Sequence, residues 1–233
     1  VALSLAGAAR PIKPSPTPAA SFAGRAYPRN IMKTITYYFS PQSPWTYLGH
    51  DRLMEIAKQQ GASIVVRPCA LNKAIFPVSG GLSLKQRPVQ RVIYRSVELK
   101  RWSEYLQIPL ILNPRYFPTD ESIASLMIIA AEQRHGADAA LQLTGAVLRG
   151  VWAQERDIAD EATLIAIGNE CGLDGASLYA AREQSLELYN RYTQEAIERK
   201  VFGAPWYIYE NEPFWGQDRL DFLERALAAG PRG

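Results

Sequence analysis

Apolar residues fall into two rhythms along the chain. From Thr34 the run Thr34-Ile35-Thr36-Tyr37-Tyr38-Phe39 is β-branched and aromatic without a break, which predicts a buried strand. Pro44 to Gln60 then places Tyr47, Leu48, Leu53, Ile56 and Ala57 at helical spacing, with Gly61 as the stop. Ser63-Ile64-Val65-Val66-Arg67 returns to strand length. Strand, helix and strand within about thirty residues read as a βαβ unit with parallel strands, and ligands sit at the carboxyl ends of such strands. Residues 84 to 107 repeat the helical rhythm through Val89, Val92, Ile93, Val97, Leu99 and Leu106. Proline-punctuated loops containing Ile108-Pro109-Leu110 and Asn113-Pro114-Arg115-Tyr116-Phe117-Pro118 follow. Helices are predicted over Glu121 to Arg134, Ala137 to Trp152, Glu161 to Cys171 with Gly172 as its stop, and one long helix over Ala176 to Lys200. A strand within Val201 to Tyr209, a turn at Asn211-Glu212, a short strand from Pro213 and a helix through Ala228 complete the chain. That last helix has Leu220, Phe222, Leu223 and Leu227 as its apolar positions.

This order is the plan of a thioredoxin-like α/β domain split by a large all-helical insertion. The expected boundaries are 32–82 with 200–230 for the split domain and 83–199 for the insertion. Residues 1–31 break the rhythm: Ala, Pro and Ser dominate, and the charges are Arg10, Lys13, Arg25 and Arg29 with no acid. Such a stretch reads as a disordered leader, without the charged start and long apolar core of a signal peptide.

Composition narrows the function. The chain has 233 residues, 47% of them hydrophobic, enough for a substantial core. Its net charge of +3 includes the leader's four cations, and taking those away leaves −1. No basic run marks a nucleic-acid or membrane surface, and no apolar run approaches the ~18 residues of a membrane span, so the expected partner is a small molecule. Cys69 and Cys171 are far apart, without a CxxC or a nearby histidine, so no metal site or redox dithiol is indicated. Both read as small apolar fillers in a reducing, cytoplasmic setting.

The candidate chemistry lies where the first strand meets the first helix. Ser43 stands at the helix start with Pro44 next, where bare N–H groups and the positive end of the helix dipole favour an anion. As a helix cap alone it would also fit. No partner suggests a serine nucleophile: of the two histidines, His50 lies two turns down the helix, where a surface or half-buried place is expected, and His135 precedes Gly136 at a helix end.

Four motifs in register, Tyr38-Phe39-Ser40-Pro41-Gln42-Ser43-Pro44-Trp45-Thr46-Tyr47, Leu99-Lys100-Arg101-Trp102 with Ile108-Pro109-Leu110, Arg199-Lys200-Val201-Phe202-Gly203-Ala204-Pro205, and Phe214-Trp215-Gly216-Gln217-Asp218-Arg219-Leu220, resemble the 2-hydroxychromene-2-carboxylate isomerases. These are grouped with kappa-class glutathione transferases and DsbA-like oxidoreductases. The resemblance runs from Lys33 to about Ala229. It implies glutathione as cofactor, with Ser43 as the catalytic serine beside the sulfur. Where the DsbA-like branch has Cys-x-x-Cys, Ser43-Pro44-Trp45-Thr46 has no sulfur, which disfavours disulfide exchange. The resemblance further implies a cis peptide at Ala204-Pro205 aligning the tripeptide backbone, with Trp215, Gly216, Gln217 and Asp218 beside it: main-chain N–H groups at Gln217 and Asp218 for the γ-glutamyl carboxylate, and the Asp218 carboxylate for its ammonium. Lys85, Arg87, Arg115, Tyr116 and Phe117 are the expected contacts to an aromatic carboxylate substrate; Lys85 stands where familiar relatives carry asparagine. Relatives often form homodimers. The implied reaction is glutathione-dependent cis/trans isomerisation in the breakdown of aromatic compounds. The alternatives are a kappa-like transferase that consumes glutathione, or a non-catalytic glutathione-binding protein.

Overall fold

The computed structural model describes residues 32–230; the expected leader, residues 1–31, lies outside the described residues. Strand β1 (Lys33–Phe39) runs into α1 (Pro44–Gln60), and Gly61 closes that helix in the left-handed conformation at φ 61°. Strand β2 (Ala62–Pro68) lies parallel to β1 with Ile35 opposite Ile64 and Tyr37 opposite Val66. Near the chain's end β3 (Trp206–Tyr209) and β4 (Glu212–Trp215) add two antiparallel strands, giving the order β2-β1-β3-β4. Their hairpin turn is Glu210-Asn211, one residue before the expected place. Both residues have positive φ (49° and 64°), the pairing that matches strand twist in a two-residue loop.

Alternation along β1 divides the core into two layers. Ile35, Tyr37 and Phe39 face one cluster, while Tyr38 faces the other, with Cys69, Ile75, Ala196 and Trp206. Between β2 and β3 the described chain is helical. A turn of π-helix (Leu71–Ile75) leads into α2 (Phe76–Ser79), and α3 (Val89–Leu106), α4 (Ser122–His135), α5 (Ala137–Gln154), α6 (Glu161–Glu170), α7 (Gly175–Ala181) and α8 (Leu186–Glu198) follow. Helix α4 is buried on every side from Ala124 to Ala131, so it is the pillar of the helical region. Helix α9 (Leu220–Ala229) closes the chain on α1.

Three expectations are corrected. The long helix over 176–200 is broken: Arg182–Ser185 is a 3₁₀ turn between α7 and α8. There the Arg182 guanidinium lies over the Tyr179 ring, and Ser185 donates to Gln133 of α4. Residues 84–107 are not one helix either. Pro88 carries no N–H and stands at the cap of α3, separate from a short turn at Leu84–Gln86. On α3 only Leu99 is buried; Val89, Ile93 and Val97 are exposed, as is Phe222 of α9. The apolar rhythm located these helices but not the faces that the core uses.

Candidate active site

At the carboxyl end of β1 the backbone turns through Ser40-Pro41-Gln42-Ser43 and enters α1. The Ser43 N–H donates to the Ser40 carbonyl at 3.0 Å, which fixes the turn. Ser43 is the N-cap: its hydroxyl accepts from the Thr46 N–H at 3.3 Å and donates to the Ala204 carbonyl at 3.4 Å. Both contacts are long, and the second is near the limit at which a hydrogen bond retains strength. The first turn of α1 carries no acidic side chain, so the positive end of its dipole is uncompensated.

The loop that leads to β3 lies opposite. The Ala204-Pro205 peptide is cis. The Pro205 carbonyl accepts from the Gly216 N–H at 2.9 Å, joining that loop to the Trp215-Gly216-Gln217-Asp218 turn. Gly216 has φ 100°, and Gln217–Arg219 is a 3₁₀ turn before α9. Gln217 is buried with its Oε1 unpaired, while Asp218 pairs with Arg219 at 3.4 Å. Gly49 of α1 permits this approach, because a Cβ there would stand 2.8 Å from Gln217 Cβ.

These segments share the wall of one cavity of about 1070 Å³, which extends from Ser43 and Gly216 to the α2–α3 region. Of the expected site residues, Ser43, Ala204, Trp215, Gly216, Gln217 and Asp218 line it, as do Lys85, Arg87 and Phe117. Pro205 is buried and does not line it. Arg115 and Tyr116 do not line the cavity: both are exposed, the Arg115 guanidinium rests over the Tyr116 ring at 5.3 Å, and the Arg115 N–H donates to Glu155. Phe117 alone of that trio turns inward, because its ring packs against Trp152 at 4.7 Å.

The sequence reading missed two groups in the cavity wall. Glu121 is 4% exposed and accepts a hydrogen bond from the Ser40 hydroxyl. Burial pushes its carboxyl from 4.5 up to about 7, against the opposing pull of hydrogen bonds from Ser40 and Gln42. In the sequence it marks only the start of a predicted helix, and nothing local signals its burial. The other group is Arg95, which follows Arg91 by four residues on α3, with Arg87 four residues earlier, ahead of the Pro88 cap. That interval was the available signal. His50 proves fully buried and outside the cavity: Nε2 lies 3.0 Å from the Leu141 carbonyl and Nδ1 3.4 Å from the Tyr37 hydroxyl. Desolvation lowers its pKa, so it serves as a neutral link between β1, α1 and α5. Cys69 is buried with its thiol pushed up, first by desolvation and then by Glu121.

Comparison with known proteins places this geometry. The family model described as a DSBA-like thioredoxin domain matches residues 34–228. The chain is 28% identical over 199 residues to a 2-hydroxychromene-2-carboxylate isomerase of Sphingobium xenophagum, covering 84% of this chain and 99% of that protein. To one from Pseudomonas sp. strain C18 it is 29% identical over 205 residues, covering 86% and 93%. A solved 2-hydroxychromene-2-carboxylate isomerase superposes with a TM-score of 0.71 at 28% identity, over 84% of this chain and 95% of that one. The cytosolic disulfide reductase DsbM from Pseudomonas aeruginosa, solved with GSH, shares the fold at a TM-score of 0.58 and 16% identity, over 83% of this chain and 100% of that one.

Proposed function

The chain belongs to the DsbA-like thioredoxin domain family, and from that premise we propose that it is a glutathione-dependent isomerase converting 2-hydroxychromene-2-carboxylate, or a closely related ring-cleavage product, to the trans-o-hydroxybenzylidenepyruvate form. The observation that carries this reading is a serine hydroxyl, not a thiol, capping α1 at the mouth of a large cavity, in a chain whose curated relatives bear that isomerase name. The sequence Ser43-Pro44-Trp45-Thr46 offers no sulfur for disulfide exchange.

The residues present fit a tripeptide thiol. Gln217 Oε1 is a buried acceptor with no hydrogen-bond partner, of the kind that receives an N–H. The start of the 217–219 turn suits a carboxylate, Asp218 suits an ammonium, and Ala204 offers main-chain groups in the manner of an added strand. When bound, glutathione supplies a soft nucleophile that makes a rigid carbon–carbon double bond rotatable and is then released.

The protein's part is electrostatic. The Thr46 N–H occupies one lone pair of the Ser43 oxygen and polarises its O–H toward an acceptor. The present acceptor, the Ala204 carbonyl at 3.4 Å, is weak enough for an anionic sulfur to displace. The uncompensated α1 dipole favours the same anion, and below about pH 7 the protonated Glu121 adds no opposing charge. No described helix is long and apolar enough to cross a membrane, and the unpaired cysteines support a reducing cytoplasmic setting.

The test is to incubate the protein with 2-hydroxychromene-2-carboxylate, with and without glutathione, and to measure free thiol before and after. Isomerisation that requires glutathione and leaves its amount unchanged is the expected result. Loss of thiol in step with product would make the protein a kappa-like transferase, and absence of turnover would leave it a binding protein.

A further inference from the structure

The cavity end formed by α3 carries charges that the fold does not balance. Arg87, Arg91 and Arg95 follow one another at intervals of four and all line the cavity, and among the described residues none of the three has an ion-pair partner. Glu98, the nearest acid on the same helix, is committed to Arg101. Arg87 holds the Leu82 carbonyl through its Nε at 2.9 Å, and the Arg95 guanidinium has no hydrogen-bond partner among the described residues. Like charges spaced this way oppose one another, so their retention on a cavity wall signals an anion from outside. Desolvation first and Arg87 second lower the pKa of Arg95 to about 10, so it stays charged at neutral pH.

What surrounds Arg95 states the shape of that anion. Its guanidinium lies 5.4 Å from the centre of the Phe117 ring and 5.7 Å from that of Trp152, which are themselves 4.7 Å apart. Phe117 presents an aromatic wall to the cavity. This wall is tied to the catalytic turn: Trp152 Nε1 donates to the Gln42 carbonyl at 3.2 Å, and the Thr119 N–H donates to Gln42 Oε1 at 3.3 Å. Gln42 immediately precedes Ser43, so the ring platform and the serine are held in one register.

We infer that Arg95, supported by Arg87, is the carboxylate anchor of the second substrate, with Phe117 as the surface on which its aromatic ring rests. The ligand class is an aryl carboxylate with one or two fused rings, its acid on the guanidinium fork and its reacting side chain directed toward Ser43. The inference deepens the isomerase reading and takes the cavity's second occupant from it, but the test needs no turnover.

Calorimetric titration of glutathione-saturated protein with 2-naphthoate and with the neutral 2-naphthamide reads the charge preference. The wild type should favour the carboxylate by roughly ten- to a hundredfold, the range of a charge-assisted hydrogen bond. Arg95→Met, which keeps length and loses charge, should bring the ratio to about one while glutathione affinity changes less than about twofold. Arg95→Lys should keep part of the preference, and it decides the matter if the Met variant fails to fold. An unchanged ratio in both variants would overturn the inference, as would equal binding of acid and amide by the wild type. A parallel loss of glutathione affinity would also overturn it, since Arg95 would then hold the tripeptide. Failure of the isomerase reading alone would appear as intact naphthoate selectivity without turnover.

Discussion

Replacing Glu121 by Gln removes a carboxyl that the fold keeps from ionising, and the consequence for stability can be worked out in sign and size. In the unfolded chain this group titrates near 4.5; in the folded protein burial raises it to about 7, with the hydrogen bonds from Ser40 and Gln42 only partly offsetting that rise. Below the lower value both states hold the proton and stability is unaffected. Between the two values the folded state holds the proton and the unfolded state does not, so stability falls as pH rises, and it levels off above about 7. The loss integrates to about 3 kcal/mol, a large part of a domain's usual margin. His50 works in the other direction: burial lowers its pKa, so the unfolded chain takes up the proton first and stability falls as pH drops below about 6.5. Because His50 is present in both proteins, it cancels in their difference. Urea unfolding of wild type and Glu121→Gln from about pH 4.5 to 8 should therefore show the variant gaining about 3 kcal/mol relative to wild type across that range. A pH-independent difference, or one that moves against the variant as pH rises, would refute the argument.

Other outcomes follow from the same contacts. Gly49→Ala would bring a Cβ within 2.8 Å of Gln217 Cβ and 3.3 Å of its Cα; the resulting shift should cost about 1–3 kcal/mol in thermal unfolding and weaken glutathione binding measured by calorimetry. Trp152→Phe leaves the Gln42 carbonyl without its indole donor at 3.2 Å and opens space in the core, so it should destabilise by about 2 kcal/mol and lower kcat/KM in the isomerase assay.

Much of the fold was legible because local chemistry and tertiary packing agree. The apolar run of β1, the Ser43-Pro44 start and the Gly61 stop of α1 each contain their own instruction, and the helix occupies Pro44–Gln60 as expected. Residues 176–200 were misread because nothing in Ala176 to Lys200 forbids a continuous helix. The break at Arg182–Ser185 is accompanied by a bond to Gln133 of another helix, and that partner cannot be seen locally. His50 looked like a surface or half-buried residue because its partners, Tyr37 and Leu141, come from a strand and a distant helix; Gly145 of α5 leaves the necessary room, since a Cβ there would stand 3.1 Å from the imidazole. On the cavity wall, Ser43 could be read from cap chemistry, whereas Glu121 and Arg95 gain their character from burial and from the aromatic pair beneath Arg95. Arg115 and Arg95 are the same residue type, and packing alone decides which of them enters the cavity.

The account's central claim is that the Ser43 hydroxyl and the start of α1 together hold a bound thiol as its anion. Titrating the ultraviolet thiolate absorbance of glutathione bound to wild type and to Ser43→Ala tests it directly. The wild type should show a thiol pKa well below the free value of about 8.5, and Ser43→Ala should return it at least one pH unit toward that value. Identical titrations for the two proteins, or a wild-type value that stays at about 8.5, would contradict the claim.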